Sequence, residues 1–177
     1  MSEILQIINN MVSQVTNQYE MYIRILISAL LGFLIGWDRQ SKSKPAGLKT
    51  YMYVCVASTL ITLISIYSVE KFSVINDRTM MDPMRLTAQI VTGLGFLGAG
   101  VILKDGLHVK GLTSAAMILF VGGVGIGIGA GFYSIVIYTV VVSMIMAKIG
   151  NVLESRKQYR YKDNQFIDNE QNHVPLE

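Results

Sequence analysis

Residues 111–147 read GLTSAAMILFVGGVGIGIGAGFYSIVIYTVVVSMIMA, 37 positions in succession without a charged side chain. One helix of that length would measure roughly 55 Å at 1.5 Å per residue, against a hydrocarbon core of about 30 Å. The stretch must therefore turn back once. Gly131 closes a run of glycines at 122, 123, 125, 127 and 129 and marks the turn. Two spans follow, over 111–130 and 132–149. Lipid offers no partner to exposed peptide groups, so spans of this kind are helices.

Working toward the N-terminus, residues 86–103 and 50–69 are also free of charge. They predict spans over 83–103 and 48–69. Asp82-Pro83 is a helix-start signal, with Asp as the cap and Pro in the first turn. Gly106, just past Lys104-Asp105, fits a C-terminal cap. A first span covers 21–37, with Arg24 one turn inside and able to snorkel outward. Trp37 stands at its interface end. Residues 1–20 are too polar to span, yet Ile4, Ile7, Ile8, Met11, Val12 and Val15 recur at helical spacing. They predict an amphipathic helix that lies on the membrane face or packs on the bundle. The tail, 151–177, is charged and reads as cytoplasmic and partly disordered.

Composition agrees. Of 177 residues, 51% are hydrophobic and 15% charged, where a soluble domain has roughly 25% charged. The net charge of +3 does not point to nucleic acid, because the basic residues flank the apolar runs. They also set an orientation. Segments 38–49, 104–110 and 148–177 hold four, two and five Lys or Arg; segments 1–24, 70–85 and the Gly131 turn hold one, three and none. The expectation is an all-α bundle of about five transmembrane helices, N-terminus outside and C-terminus in the cytoplasm. Cys55 is the single cysteine and lies within an apolar run, where it reads as a small core residue.

Several motifs bear on chemistry. Gly93-Leu94-Gly95-Phe96-Leu97-Gly98 matches a dinucleotide fingerprint, but that motif needs a preceding strand and a soluble helix. Inside an apolar span it reads as a close-packing surface. Gly32 and Gly36, Gly95 and Ala99, and Gly123, Gly127 and Gly131 repeat at four-residue spacing, which lets helix backbones approach. A locally broken helix lining a cavity is the other reading of so many glycines. Arg85, Gln89 and Thr92 fall at i, i+4 and i+7 on one face. Polar groups turned to lipid are costly, so this face is expected to point into the bundle. There it would serve an ion path or a partner contact, or make interhelical hydrogen bonds beneath a snorkelling Arg85.

Asp38 and Arg39 close the first span. Asp38 is the one candidate for a cation or proton contact, and a surface salt bridge explains it equally well. No pair of carboxylates lies deep in a span, which argues against a dehydrated Mg²⁺ cage. Thr113 and Ser114 open the fourth span as helix-end caps or hydrogen-bond partners. His108 and His173 with one Cys make no zinc pattern. No nucleophile–base set and no phosphate loop is present, so neither an enzyme nor a bound cofactor is expected.

Three segments together resemble the MgtC/SapB family of bacterial membrane proteins: GFLIGWDRQSKSKPAGLKT at 32–50, RLTAQIVTGLGFLGAGVIL at 85–103, and VKGLTSAA at 109–116. The likeness covers roughly residues 20–150. It implies a five-span domain in a bacterial plasma membrane and a link to magnesium limitation. It also implies action on other membrane machinery, notably the proton-driven ATP synthase, rather than transport itself. A small Mg²⁺ or other cation transporter is the alternative. The positions matched by motif are Asp38, Arg39, Gly47, Arg85, Gln89, Gly93, Gly95, Gly98, Gly100, Gly111 and Thr113. Asp38 stands where the family pattern has Glu. Longer relatives carry an ACT-like domain after the fifth span, and here about 28 residues follow. The expected partners are the lipid bilayer, another membrane protein and, in one version, further copies of the chain.

Overall fold

A computed structural model describes the backbone of residues 2–40, 46–73, 82–106 and 108–171, and side chains over most of 18–153. Residues 74–81, Lys42, Lys44, Pro45, His173 and the side chains of 4–15 lie outside the described residues. Five helices carry the chain: α1 (Ser2–Gln40), α2 (Leu48–Ser73), α3 (Met84–Val101), α4 (Leu112–Gly129) and α5 (Tyr133–Gln171). Each contains a stretch long and apolar enough to cross a membrane: Gln18–Gln40, Leu48–Val69, Met84–Val101, Leu112–Gly129 and Tyr133–Leu153. The protein is therefore an all-α, multi-pass membrane protein.

The polar N-terminal segment is helical and runs unbroken into the first span within α1. Residues 1–136 form one compact unit and 137–177 a second. In the first unit, α2 is central and touches α1, α3 and α4; α4 also meets α1 and α3.

Glycines set how closely the helices approach. A Cβ on Gly32 would sit 2.9 Å from the Met52 Cα, and one on Gly36 would sit 2.7 Å from the Leu48 Cα. The backbones of α1 and α2 are thus in direct contact. On the other side of α2, a Cβ on Gly129 would come 2.8 Å from the Thr62 Cβ, and one on Gly125 would meet the Cys55 carbonyl oxygen. Gly122 is the notch for the Leu94 side chain of α3. These contacts replace the hydrophobic drive that helices lack in lipid.

The termini are specified locally. The Asp82 carboxylate accepts from the Met84 N–H at 2.8 Å, as the Asp-Pro signal predicts. The glycine-rich half of α4 is a regular helix ending in a Schellman turn. Phe132 N–H donates to the Gly127 carbonyl, Gly131 N–H donates to that of Ile128, and Gly131 takes φ +83°.

One expectation is corrected. α3 ends at Val101, and Gly106 is not its cap. Leu103–Asp105 and His108–Lys110 pair as an antiparallel hairpin, Leu103 opposite Lys110, and Gly106 sits at its turn with φ +59°. Gly106, free to take a positive φ, lets the chain reverse between Leu103-Lys104-Asp105 and His108-Val109-Lys110, which a prolonged helix would not allow. A lysine–aspartate pair, Lys110 Nζ to Asp105 Oδ2 at 3.2 Å, bridges them.

Candidate functional site

Polar side chains of the first unit lie at its two ends, along one face and in a buried seam between the ends. At the end where α1 begins, Arg24 makes a clasp. Its Nη1 donates to the Gly129 carbonyl at 2.5 Å, its Nη2 donates to Glu20 Oε1 at 2.5 Å, and its guanidinium lies 5.8 Å from the Tyr133 ring centroid. Carbonyls at a helix C-terminus carry partial negative charge and lack intrahelical partners, so Arg24 is bound there. It does not snorkel outward as its position in the sequence suggests. The Gly131 turn presses on the guanidinium: a Cβ there would lie 3.2 Å from Nη2.

Between the ends, the buried polar groups are hydroxyls: Ser28 on α1, Ser58, Thr59, Thr62 and Ser65 on α2, Thr87 on α3 and Ser114 on α4. Thr59 donates to the Gly125 carbonyl at 2.8 Å, Ser28 to that of Ile25 at 2.8 Å, and Ser65 to that of Pro83. Sequence reading passed over this seam because Ser and Thr are common in apolar spans. The usable signal was their spacing on α2, at 58, 62 and 65 with 59 alongside. Cys55 belongs to the same seam and is buried, as its apolar surroundings predict.

The face is on α3. That helix buries Thr87, Ile90, Leu94 and Gly98, positions i, i+3, i+7 and i+11. Arg85, Gln89 and Thr92 fall on the opposite side and are exposed. The expectation that this stripe points into the bundle is therefore corrected. The apolar stripe around Leu94 took the bundle side, filling the Gly122 notch, and a helix has one such face. Phe96, 80% exposed, continues the outward stripe. Thr92 Oγ1 bonds back to the Ala88 carbonyl at 3.4 Å. The α3 glycines behave accordingly. A Cβ on Gly98 would make ordinary contact with Ala115 at 3.6 Å, but Gly93, Gly95 and Gly100 have nothing within 4 Å. Of the expected packing glycines, Gly32 and Gly36 lie directly against the backbone of α2.

At the other end lie the finish of α1 and the starts of α2 and α4. The Gln40 side chain accepts from the Leu48 N–H at 3.3 Å and caps α2. Asp38 is exposed and Arg39 half-buried. Gly111 precedes α4 with φ +91°, and a Cβ on it would run into the Val101 carbonyl oxygen. Only glycine fits that position. Thr113 is exposed and Ser114 buried, and no side chain caps α4. Among the described residues, no three of His, Cys, Asp and Glu converge as metal ligands would.

The segments that build this end and the α3 face are those whose motifs suggested a family. The sequence profile of the MgtC family matches residues 25–156. The chain belongs to the MgtC family. The matched region begins just after Arg24 and takes in the apolar part of α5, and so contains both close-packed helix pairs and the α3 face. Among MgtC-family relatives, Protein SapB of Bacillus subtilis is 45% identical over 115 residues, covering 64% of this chain and 49% of its own length. YhiD of Escherichia coli K12, named as a candidate magnesium transporter, is 36% identical over 137 residues, with coverages of 77% and 63%. Protein MgtC of Brucella abortus is 37% identical over 136 residues, with coverages of 74% and 53%. The chain spans about half to three-fifths of the length of these relatives. No solved structure gives a significant match.

Proposed function

We propose that this MgtC-family protein works in bacterial magnesium homeostasis as a regulator. In this reading it docks through α3 on a larger membrane protein, such as the proton-driven ATP synthase. The observation that carries the proposal is the outward stripe of Arg85, Gln89, Thr92 and Phe96, flanked by Gly93 and Gly100 with open space above them. A Gln side chain facing lipid forgoes its hydrogen bonds, at a cost of about 1–3 kcal/mol. A partner helix that offers polar groups restores them, and the glycines let its backbone come close. The names of the relatives MgtC and YhiD support the magnesium link. Basic residues in alternate loops support an inner-membrane orientation with the N-terminus outside.

The second reading is a small cation transporter using Asp38. The bundle favours the first, because the buried polar groups of its described interior are hydroxyls and not carboxylates, and Ser28, Thr59 and Ser65 are already bonded to backbone carbonyls. Pull-down from native membranes tests the choice. Gly95→Leu and Arg85→Leu should each lose a co-purifying membrane protein that wild type and Lys71→Leu retain. Mg²⁺ flux through purified protein in liposomes, abolished by Asp38→Ala, would favour the second reading. Reporters fused after residues 45, 77, 107 and 160 should read in, out, in and in.

A further inference from the structure

We infer that the end of the unit formed by the α1 C-terminus and the starts of α2 and α4 is a binding site for a phosphate group. The ligand is held by the Arg39 guanidinium, the Tyr51 hydroxyl and the first turn of α4. The inference is independent of what docks on α3.

Arg39 is permanently charged. Its Nε and Nη2 are both buried, and neither has a hydrogen-bond partner among the described residues. Tyr51 is 0% exposed, and its hydroxyl is likewise buried without a partner. Burying a charge and a hydroxyl unpaired is costly. Two such groups at one end call for a ligand that accepts from both.

The register of the helices brings them together. Gly36 lies against Leu48, so Arg39 stands one turn beyond that contact and Tyr51 one turn inside it. Their Cα atoms are thus about 9 Å apart along the axis at 1.5 Å per residue. Side chains lean toward their own helix N-terminus. Because α1 and α2 run in opposite directions, Arg39 and Tyr51 lean toward each other. Arg39 shares the buried stripe of Ser28, Gly32 and Ile35, at i, i+4, i+7 and i+11. Tyr51 shares the stripe of Cys55, Ser58 and Thr62, the side of α2 that receives Gly125 and Gly129 of α4. Counting back along both helices from Ser58 and Gly125 places Tyr51 level with Ile118. Its phenol, leaning one turn further, is level with Ser114, in the first turn of α4. That turn begins at Gly111 with no side-chain cap, so its N–H groups face the same end, and the positive end of the helix dipole adds to Arg39.

The surrounding charge fits an anion. The described titratable groups at this end are the cations Arg39, Lys49, Lys104 and Lys110, with His108, against Asp38 and Asp105, and Asp105 is already paired with Lys110. A guanidinium with two N–H groups on one edge matches phosphate oxygens. A headgroup of an anionic phospholipid is at the right depth, since α2 enters the apolar region at Leu48; free phosphate presents the same chemistry.

The test uses the full chain in a neutral detergent. Purified protein is exposed to phosphatidylglycerol or to phosphatidylcholine in mixed micelles, and retained lipid is counted by native mass spectrometry. A second arm adds inorganic phosphate alone and follows the melting temperature. Wild type should retain phosphatidylglycerol over phosphatidylcholine. Arg39→Gln and Tyr51→Phe should each lower that retention at least about tenfold, while Lys71→Gln, exposed at the far end of α2, should leave it within about twofold. Tyr51→Phe removes one oxygen and keeps the packing, so it reports even if Arg39→Gln folds poorly. A melting-temperature rise with inorganic phosphate that needs Arg39 and Tyr51, without lipid selectivity, would keep the site and make free phosphate its source. Equal lipid retention by wild type and Tyr51→Phe, with no response of either to phosphate, overturns the inference.

Discussion

Replacing Gly36 by alanine adds one methyl group where α1 meets α2. That carbon would lie 2.7 Å from the Leu48 Cα and 2.9 Å from the Leu48 carbonyl oxygen. Ordinary contact begins near 3.4–4 Å, and both obstacles are backbone, so neither can rotate away. The helices must separate by about 1 Å, and a gap of that size forfeits a quarter to a half of each contact's attraction across the interface. Overpacking of this kind costs about 1–3 kcal/mol. Alanine also favours the helix by about 1 kcal/mol over glycine, which blurs a single measurement. The comparison with Gly123→Ala removes that difficulty. A Cβ on Gly123 has nothing within 4 Å, so that variant has the propensity gain without the clash. The two should differ by the packing cost alone. For a chain of this size that is about 2 to 12 °C in melting temperature, read by intrinsic fluorescence of protein in detergent. Gly36→Ala melting as high as Gly123→Ala would show that α1 and α2 do not meet along Gly32 and Gly36.

Two further outcomes follow from the hydrogen bonds. Arg24→Met should destabilise the protein by about 1.5–3 kcal/mol, because it removes charge-assisted bonds to Gly129 and Glu20; Arg24→Lys should recover part of the loss in the same melting assay. Thr59→Val should cost only about 0.6 kcal/mol despite complete burial, since hydroxyl bonds between membrane helices are weak. A loss above about 2 kcal/mol would mean the Thr59 hydroxyl has a larger role than joining α2 to Gly125.

Much of the architecture could be read from the chain. Charge-free runs fixed the helices, because hydrocarbon thickness sets their length. Asp82 and Gly131 fixed a start and a turn through their own local chemistry. Gly32 and Gly36 announced a close helix pair by spacing alone. The hairpin at 103–110 escaped because its two three-residue strands, set between two spans, carry no periodicity long enough to read. The α3 face was legible as a stripe but not in its direction. The burial cost of Arg85, Gln89 and Thr92 argued for the interior, while the Leu94 knob and Gly122 notch, two residues in different helices, decided otherwise. Arg24 was misjudged for the same reason, since its partner at Gly129 is 105 residues away. The enclosure of the Tyr51 hydroxyl was not legible either, because it depends on neighbouring helices and not on the residues around it in the chain.

The hydroxyl lining of α2 bears on how the chain enters the bilayer. Membrane helices are inserted in order of synthesis, so α2 must reside in lipid before α4, its later neighbour, exists. A carboxylate or amide at Thr59 or Thr62 would be stranded during that interval. A serine or threonine can instead return its proton to a carbonyl of its own helix, three or four residues back, as Ser28 does to Ile25 in the finished protein. When α4 arrives, Thr59 exchanges that internal bond for one to Gly125 at little net cost. The interior chemistry of this protein is thereby compatible with stepwise biogenesis, each helix complete in itself before it finds its neighbours.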